Sequence, residues 1–388
     1  MYNFDQIISR EGTDSVKFDG MKRFYPDASD DAIPMFIADM DFAVAPEILE
    51  AMHERLEKKI LGYTGIFDDS YYDNIINWYK TRFGLEVKKE EIVISNGVVP
   101  AVNVLVRALT KEGDNIIITT PSYGPFFGAI QQAEGRNALY NRLINTNGYY
   151  TMDFEDFEEK CKDPKTTMFI LCNPHNPTGR IWTVEELTKI HEICQANGVF
   201  IVSDEIHADL TRSDKKVTPI ASLFPDDKNI VTCTAPSKTF NLAGNGHSNI
   251  FIRDEEIRKA YQANGGRGSS NPLSVAATKA AYAQGAYWLD ELREYLDGNF
   301  AYVKEFLAKE LPDAVFTIPE GTYLAWIGLG AYGYSNDELE KKIGQGGVVI
   351  ESGRSFVDNC DSYIRVNMAC PLSVVKTAFD RIAKAVKS

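Results

Sequence analysis

The sequence predicts an α/β protein with a mostly parallel central sheet, helices on both sheet faces, and a second, smaller α+β domain. Between residues 46 and 285, short apolar runs of strand length alternate with helical patterns, which is typical of a doubly covered sheet. After Gly285 the pattern changes to a long helical stretch, several short apolar runs and a closing helix. We therefore expect residues 46–285 to form the large domain, and residues 1–45 together with 286–388 to form the small domain.

Helix signals support this division. Pro46 opens a stretch with apolar residues at every third or fourth position, as on one face of a helix, namely Leu49, Met52, Leu56 and Ile60. Another helix is expected over residues 185–196, ended by Asn197 and Gly198. In the small domain we expect a helix over 287–311, short strands over 315–318, 323–327, 348–349 and 362–366, and a closing helix from Leu372.

Composition and charge exclude several classes of function. The chain has 388 residues, 44% of them apolar, which is enough for two cores. No stretch approaches the ~20 apolar residues of a membrane helix, and the first residues lack the basic and apolar pattern of a signal peptide, so we expect a cytoplasmic location and no membrane contact. A net charge of -14 argues against nucleic acid, whose backbone requires cationic partners.

The six cysteines indicate buried thiols rather than a disulfide framework or a metal site. They form no CxxC pair, and no histidine lies at a ligand spacing from them. Cys172 and Cys233 lie within apolar runs of strand length. Free thiols of this kind are typical of a reducing compartment.

Lys238 follows the apolar run 230–233 and lies between the hydroxyl residues Ser237 and Thr239. A lysine in such a loop could be a solvated surface charge. It could instead form a Schiff base with an aldehyde cofactor, pyridoxal 5′-phosphate (PLP), whose phosphate neighbouring hydroxyls and main-chain N–H groups would bind. The choice depends on whether the other partners of such a cofactor occur upstream.

Two polar segments upstream suit the ring of this cofactor. Asp204 follows the run 199–202, where a carboxylate can pair with the pyridine nitrogen and keep it protonated; the alternative is a cap for a following helix. Asn176 lies in the loop 173–180, which is rich in Pro, Asn and Gly and predicts a fixed turn. Its side chain can donate to the 3′-oxygen of the cofactor.

Two further strand ends suit the phosphate and the ring face. Gly97 and Val98 follow the run 92–94 and precede a helical stretch, so their N–H groups would lie at a helix amino terminus suited to phosphate. Tyr123 follows the run 115–119 and supplies an aromatic ring that could stack on the pyridine. Because the carboxyl ends of parallel strands meet at one edge of the sheet, we expect all these residues to lie close together.

These motifs resemble those of the aspartate aminotransferase superfamily of PLP enzymes, which has fold type I. The resemblance rests on the segments 173–180, 203–207 and 235–244. Other segments narrow it to the cystathionine β-lyase group of the MalY/PatB type, which cleaves carbon–sulfur bonds: 34–42, 62–64, 320–326 and 365–371. The similarity extends from about Pro34 to the last helix.

The resemblance implies a role for each site residue. Lys238 would form the Schiff base, Asp204 would hold the pyridine nitrogen, Asn176 would bind the 3′-oxygen, Tyr123 would stack on the ring, and Ser237 with the backbone of Gly97 and Val98 would hold the phosphate. Tyr63 would cross a dimer interface to the neighbouring subunit's cofactor phosphate, which implies a homodimer with shared sites. Arg365 would bind the substrate α-carboxylate, a task that its planar fork suits; without the resemblance, a surface ion pair would be the simpler interpretation.

The sequence departs from the superfamily pattern at two places. Aminotransferases commonly have a tyrosine three residues after the aspartate, where this chain has His207. This fits the lyase group and leaves open whether His207 contacts the cofactor or only packs. Asn245-Gly246-His247 replaces a more apolar continuation, and for His247 we favour polar packing over a catalytic role.

The sequence thus favours a PLP-dependent carbon–sulfur β-lyase that converts L-cystathionine or a related cysteine S-conjugate into a thiol, pyruvate and ammonia. The alternative within the superfamily is an aminotransferase for a neutral or aromatic amino acid. A regulatory binding protein of the same family is an alternative of another class. The intact set of Lys238, Asp204 and Arg365 argues against that last interpretation.

Overall fold

A seven-stranded sheet lies at the centre of the molecule, as seen in a computed structural model that describes residues 2–358 and 360–388. The strands, in chain order, are β1 Ile33–Pro34, β2 Ile92–Ser95, β3 Asn115–Thr120, β4 Ser122–Tyr123, β5 Asn137–Arg142, β6 Ile144–Thr146, β7 Tyr149–Thr151, β8 Thr166–Cys172, β9 Phe200–Asp204, β10 Ile230–Thr234, β11 Ser248–Ile252, β12 Leu324–Gly328, β13 Val348–Val349, β14 Glu351–Ser352, β15 Phe356–Val357 and β16 Tyr363–Asn367.

Helices occupy much of the remaining chain. They are α1 Met21–Phe24, α2 Pro46–Leu56, α3 Ser70–Phe83, α4 Val98–Leu109, α5 Gly124–Gln132, α6 Phe154–Lys162, α7 Val184–Asn197, α8 Ile220–Leu223, α9 Pro236–Thr239, α10 Glu255–Ala263, α11 Pro272–Gln284, α12 Ala286–Glu310, α13 Asn336–Gln345 and α14 Leu372–Lys387. The predicted helices over 185–196 and 287–311, and the closing helix from Leu372, are confirmed with ends within one or two residues of those expected.

The central sheet is mostly parallel and covered on both faces. Its strands lie in the order β2-β11-β10-β9-β8-β3-β5, and β11 runs in the direction opposite to that of the other six. Successive strand residues point to opposite faces, so Ile117 and Phe169 belong to one apolar core while Ile118 and Ile170 belong to another. The continuous apolar runs of the sequence therefore supply two cores, and the predicted α/β class is confirmed.

The strand directions bring five strand ends to one edge. Strands β3, β8, β9 and β10 are parallel. Strand β2 is antiparallel to β11, which is antiparallel to β10, so the carboxyl end of β2 lies at the same edge. The loops after these strands carry the polar residues that the sequence singles out, at the edge where sheets of this class bind ligands.

The later part of the chain forms a second, smaller sheet. Strands β12, β16 and β14 lie in that order and are antiparallel. Strand β1 pairs in parallel with β13, which attaches the amino-terminal segment to this region. Strand β15 pairs with β4 of the large unit, with Phe356 opposite Tyr123. The exact domain boundaries, 46–285 against 1–45 and 286–388, stay a prediction.

Two local expectations are wrong. Residues 315–318 form no strand; Val315 makes only an isolated bridge to Gly328. Helix α2 begins at Pro46 as expected, but it ends at Leu56, and its fully buried apolar residue is Ile48. Leu49 and Leu56 are more than 40% exposed and Ile60 lies beyond the helix at 73% exposure. Met52 packs against the core while partly buried, so within the described residues the apolar spacing marks a face that is only partly covered.

The structure also describes the surroundings of the cysteines and the length and apolar character of the helices. All six cysteines are buried and unpaired. Among the described residues, no helix has both the length and the apolar character needed to cross a membrane.

Candidate active site

One cavity at the carboxyl edge of the sheet collects most of the predicted site residues. Its volume is about 210 Å³. Seven of the nine predicted residues line it: Gly97, Val98, Tyr123, Asn176, Asp204, Ser237 and Lys238. Arg365 contacts this group through Asn176, whereas Tyr63 is not among the lining residues.

Lys238 lies in the short helix α9, directly after β10. Its Nζ donates a hydrogen bond to the main-chain oxygen of Ala38 at 2.5 Å. Burial lowers the pKa of the Lys238 amine to about 8, the positive charge of Arg365 acts in the same direction, and the carboxylates of Asp39 and Asp204 oppose the shift. A lowered pKa leaves more of the amine neutral near pH 7, as a nucleophile or general base requires.

Asp204 is the last residue of β9, and its Oδ1 accepts from the N–H of Ile206 at 3.1 Å. The residues that follow form turns rather than a helix, so the helix-cap alternative does not apply. Burial raises the pKa of Asp204 to about 7, against the opposing effects of the Ile206 N–H and the charge of Lys238. Because burial disfavours the charged carboxylate, a neighbouring cation such as a protonated pyridine nitrogen would keep it ionised.

The amino terminus of α4 forms an anion-binding end of the cavity. Gly97 precedes the helix at a φ of 146°, a conformation that favours glycine. A Cβ at this position would lie 3.2 Å from Cδ of Pro100. The first turn, which begins at Val98, contains no acidic residue, so its unpaired N–H groups and the helix dipole favour an anion. Ser237 lines the same cavity.

Arg365 of the smaller sheet and Asn176, in the loop after β8, are joined by a hydrogen bond. The Nη1 of Arg365 donates to Oδ1 of Asn176 at 3.2 Å, and its Nη2 donates to the main-chain oxygen of Phe36 at 3.1 Å. The guanidinium also lies over the ring of Phe356, 5.1 Å from its centroid. Because Oδ1 of Asn176 is engaged, its Nδ2 is the group left to donate to a ligand. Arg365 is buried beside the cavity and not at the surface.

Tyr123 and Tyr63 differ sharply in their surroundings. Tyr123 belongs to β4, which is held by β15 through the pairing with Phe356, and its ring meets Phe126 edge-on at 5.7 Å. This fixes an aromatic ring at the cavity. Tyr63 lies between α2 and α3 and is fully exposed. The fold of one chain thus leaves Tyr63 outside the site.

The two histidines that the sequence left open both line the cavity. Burial, followed by the charges of Lys238 and Arg365, lowers the pKa of His207 to about 3, so its ring is neutral at pH 7. Burial lowers the pKa of His247 to about 4. The Nε2 of His247 lies 2.7 Å from the hydroxyl of Tyr71, which agrees with polar packing.

Two contact residues of the site carried no assigned role in the sequence. The main-chain oxygen of Ala38 accepts from Lys238, and the hydroxyl of Tyr323 donates to the same oxygen at 2.8 Å. Both residues lie in segments, 34–42 and 320–326, that resemble the lyase group, and for Tyr323 this resemblance was the signal that could have identified it. A main-chain acceptor leaves no side-chain signature, so Ala38 itself was not predictable.

These residues fit PLP. The cavity offers a helix amino terminus and a hydroxyl for a phosphate, a buried carboxylate for a pyridine nitrogen, a free amide donor for the 3′-oxygen and an amine of lowered pKa for an aldehyde. The buried Asp204 is the most specific part of the fit, because Lys238 is the one cation among the described residues whose charge lowers the pKa of this carboxyl. A protonated ring would supply one.

Comparison with known proteins gives a consistent result. Residues 31–382 match the family described as aminotransferase class I and II. The cystathionine beta-lyase PatB of Bacillus subtilis is 42% identical over 389 residues, which covers 99% of this chain and 100% of that protein. Protein MalY of Escherichia coli is 30% identical over 393 residues, which covers 100% of both proteins.

A solved structure shows the same fold at high similarity. The PLP-bound C–S lyase from Staphylococcus hominis superposes with a TM-score of 0.94 at 41% sequence identity. The match covers 100% of this chain and 99% of that one. Similarity in sequence and in fold therefore extends along the whole chain.

Proposed function

The chain belongs to the class I and II aminotransferase family. From its similarity to particular members we infer that it is a PLP-dependent carbon–sulfur β-lyase. The observation that carries this conclusion is the 42% identity to a cystathionine beta-lyase along the whole chain. We propose L-cystathionine or a related cysteine S-conjugate as substrate. The β-carbon–sulfur bond breaks and one water is consumed, giving a thiol, pyruvate and ammonia.

The residues of the cavity would hold the cofactor by its charged and polar groups. The chemistry supplied by bound PLP is an electrophilic aldehyde and a protonated pyridine ring that withdraws electrons from the substrate Cα. In this proposal Gly97, Val98 and Ser237 bind the phosphate, and Tyr123 covers the ring face. Asp204 holds the proton on the pyridine nitrogen, which is the interaction that its buried position strengthens.

Arg365 and Lys238 would act on the substrate itself. Arg365 binds the α-carboxylate through its fork and thereby fixes the amino acid against the neighbouring Asn176. The neutral amine of Lys238 removes the proton from Cα as a general base. The electron pair left at Cα forms the Cα–Cβ double bond as the β-sulfur departs, and the proton held by Lys238 is then available to that sulfur.

We also propose that the working unit is a homodimer. The segment 56–67 exposes a set of large apolar side chains, and in a monomer these would remain in water: Leu56, Ile60, Leu61, Tyr63 and Phe67. A second copy of the chain would cover them and place Tyr63 at its partner's phosphate site. The six unpaired, buried cysteines are in keeping with a location in the reducing cytoplasm, which we also propose.

The test of function is a product analysis of the PLP-loaded protein. L-cystathionine, L-cysteine and S-alkyl cysteines are offered singly, and pyruvate, thiol and ammonia are measured. The same substrates are then offered with 2-oxo acid acceptors. We expect pyruvate and thiol in equal amounts without any acceptor. Turnover that strictly requires an acceptor, and that conserves the sulfur in the product, would identify an aminotransferase instead.

A further inference from the structure

Four charged residues form a cluster next to Ala38: Arg10, Lys17, Asp39 and Asp41. We call them the charge cluster. Lys17 is 1% exposed, and its Nζ lies 2.8 Å from Oδ2 of Asp41 and 3.7 Å from Oδ1 of Asp39. Arg10 reaches Asp39 at 2.6 Å and Asp41 at 2.9 Å. Lys17 is the fully buried member, whereas the other three are partly exposed. Desolvation of the buried ammonium offsets much of its attraction to the carboxylates, so the net stability gained from these pairs is small.

The charge cluster holds the backbone on both sides of Ala38. Besides its ion pairs, Lys17 donates to the main-chain oxygen of Asp39 at 3.4 Å, and Arg10 donates to that of Met40 at 3.3 Å. From the other side, Nδ2 of Asn367 donates to the oxygens of Ile37 and Asp39, both at 2.6 Å. The carbonyls that flank Ala38 are thus tied to side chains from elsewhere in the chain, which fixes the direction of the Ala38 carbonyl.

The Ala38 carbonyl in turn aims the Lys238 amine. It accepts from Lys238 at 2.5 Å and from the hydroxyl of Tyr323 at 2.8 Å. A carbonyl oxygen has two lone pairs, so these two donors saturate it. When the Lys238 amine is free, one of its N–H bonds is directed at this oxygen, and the direction of its lone pair is restricted accordingly.

The charge cluster also contributes to the electrostatic environment of Lys238. The groups that act on this amine are Asp39 from the segment before α2, Asp204 from β9 and Arg365 from β16. His207 is neutral at pH 7, and the adjoining residues Ser237 and Thr239 carry no charge. Asp39 and Asp204 are the two carboxylates that favour the protonated amine, and Asp39 has the larger effect. Arg10 and Lys17 compensate the negative charge of Asp39.

We propose that the charge cluster is a positioning device for Lys238, which fixes the carbonyl that aims the amine and keeps the nearby charge of Asp39 compensated. None of its members lines the cavity, and they act through the Ala38 carbonyl and through the charge of Asp39. The proposal rests on the role of Lys238 under the proposed function. It adds that residues of the amino-terminal segment, far from Lys238 in sequence, set the behaviour of the catalytic base.

The test uses the full-length, PLP-loaded protein with the substitutions Lys17→Met and Asp39→Asn. Two quantities are measured: the pH at which the visible absorbance of the bound cofactor changes, and the pH midpoint of the acidic limb of kcat/KM. Lys17→Met leaves the negative charge of Asp39 undercompensated, which favours a proton on the nitrogen of Lys238, so both midpoints should rise. Asp39→Asn removes that negative charge, so both should fall. We expect shifts of roughly 0.5 to 1 pH unit in opposite directions.

The controls separate a charge effect from damage to the fold. Lys22→Met makes the same change at an exposed lysine paired with Asp30 and should shift neither midpoint. Lys17→Arg keeps the positive charge, so both of its midpoints should equal those of wild type. If Lys17→Met does not fold, Arg10→Gln, at a partly exposed member, should raise both midpoints. Shifts in the same direction, or none, in folded variants would overturn the proposal. If Lys238→Ala retained turnover, the proposed function of Lys238 would fail instead, so the two failures are distinguishable.

Discussion

The guanidinium of Arg365 donates to the side-chain oxygen of Asn176 at 3.2 Å, and this hydrogen bond joins the small antiparallel sheet to the central one. Arg365 lies on β16, whereas Asn176 follows β8. The bond orients the amide of Asn176, because its oxygen is engaged and only its Nδ2 remains to donate. The residue proposed for the substrate carboxylate thus also orients the one proposed for the cofactor oxygen, which places the two ligands side by side.

Arg365→Lys should impair substrate binding more than the chemical step. Lysine keeps the positive charge but loses the planar fork and the hydrogen bond to Asn176. The loss of one hydrogen bond to a charged group, about 1.5 to 3 kcal/mol, predicts a KM about 10- to 100-fold higher with a smaller change in kcat. Arg354→Lys, at an exposed arginine paired with Glu340, is the matched control and should leave KM unchanged. Equal KM values for both variants would remove Arg365 from the carboxylate site.

Asp204→Asn should keep the shape of the cavity and lose its charge. Without the carboxylate, the pyridine nitrogen of the cofactor is no longer held protonated, and the electron pair at Cα is poorly stabilised. We expect kcat to fall on the order of 10⁴-fold, as in another enzyme where an Asp to Asn change alters the protonation of a ring. Steady-state kinetics with saturating PLP measures this. A variant within a few-fold of wild type would mean that another group pairs with the nitrogen.

Glu205 should make the stability of the protein depend on pH. Burial raises the pKa of this carboxyl from its ordinary value of 4.5 to about 8. Since the folded-state pKa is raised, the contribution is fully present below pH 4.5 and is lost as pH rises towards 8. The melting temperature of wild type should therefore fall between pH 5 and 8 relative to that of Glu205→Gln, measured at matched PLP saturation. If the melting temperatures of the two proteins instead change with pH in parallel over this range, Glu205 is ionised in the folded protein.

Tyr63 offers a test of shared sites. Tyr63→Phe should weaken PLP retention by about 1.5 to 3 kcal/mol, the value of a hydrogen bond to a charged group. Mixed with Lys238→Ala chains, it should give hybrid dimers in which one site has both defects and the other has neither, so activity should partly return. Tyr287→Phe, at another exposed tyrosine, serves as the control. Hybrids proven to form but without any recovery, or an active monomer in sedimentation, would exclude shared sites.

Local pattern made much of the site predictable, because short apolar runs end in polar loops at one edge of a parallel sheet. Asp204 and Lys238 lie at two such strand ends, and the motifs at the other strand ends together made them candidates for the site. The contact between Lys238 and Ala38 could not be predicted, since 200 residues separate them and a main-chain acceptor has no side-chain signature. The buried state of Lys17 likewise depends on tertiary contacts with Asp39 and Asp41.

The error at α2 has a different physical origin. Its apolar spacing was detected correctly, but spacing does not say what covers the face. Leu49 and Leu56 remain exposed among the described residues, and in the homodimer proposed above a second copy would supply the missing surface. A sequence pattern reports that a face is apolar, whereas the identity of its partner is a property of the assembly.

The most direct test of the account compares wild type with Lys238→Ala, measuring pyruvate and thiol released from L-cystathionine by protein incubated with PLP. The circular dichroism spectrum of each protein serves as the control for folding. We predict equal amounts of pyruvate and thiol from wild type, and none above background from a folded Lys238→Ala variant, because that variant lacks the amine that binds the aldehyde and moves the Cα proton. Near-normal release by the variant would contradict the assignment of Lys238, and wild type that releases neither product from any β-thio amino acid would contradict the lyase function itself.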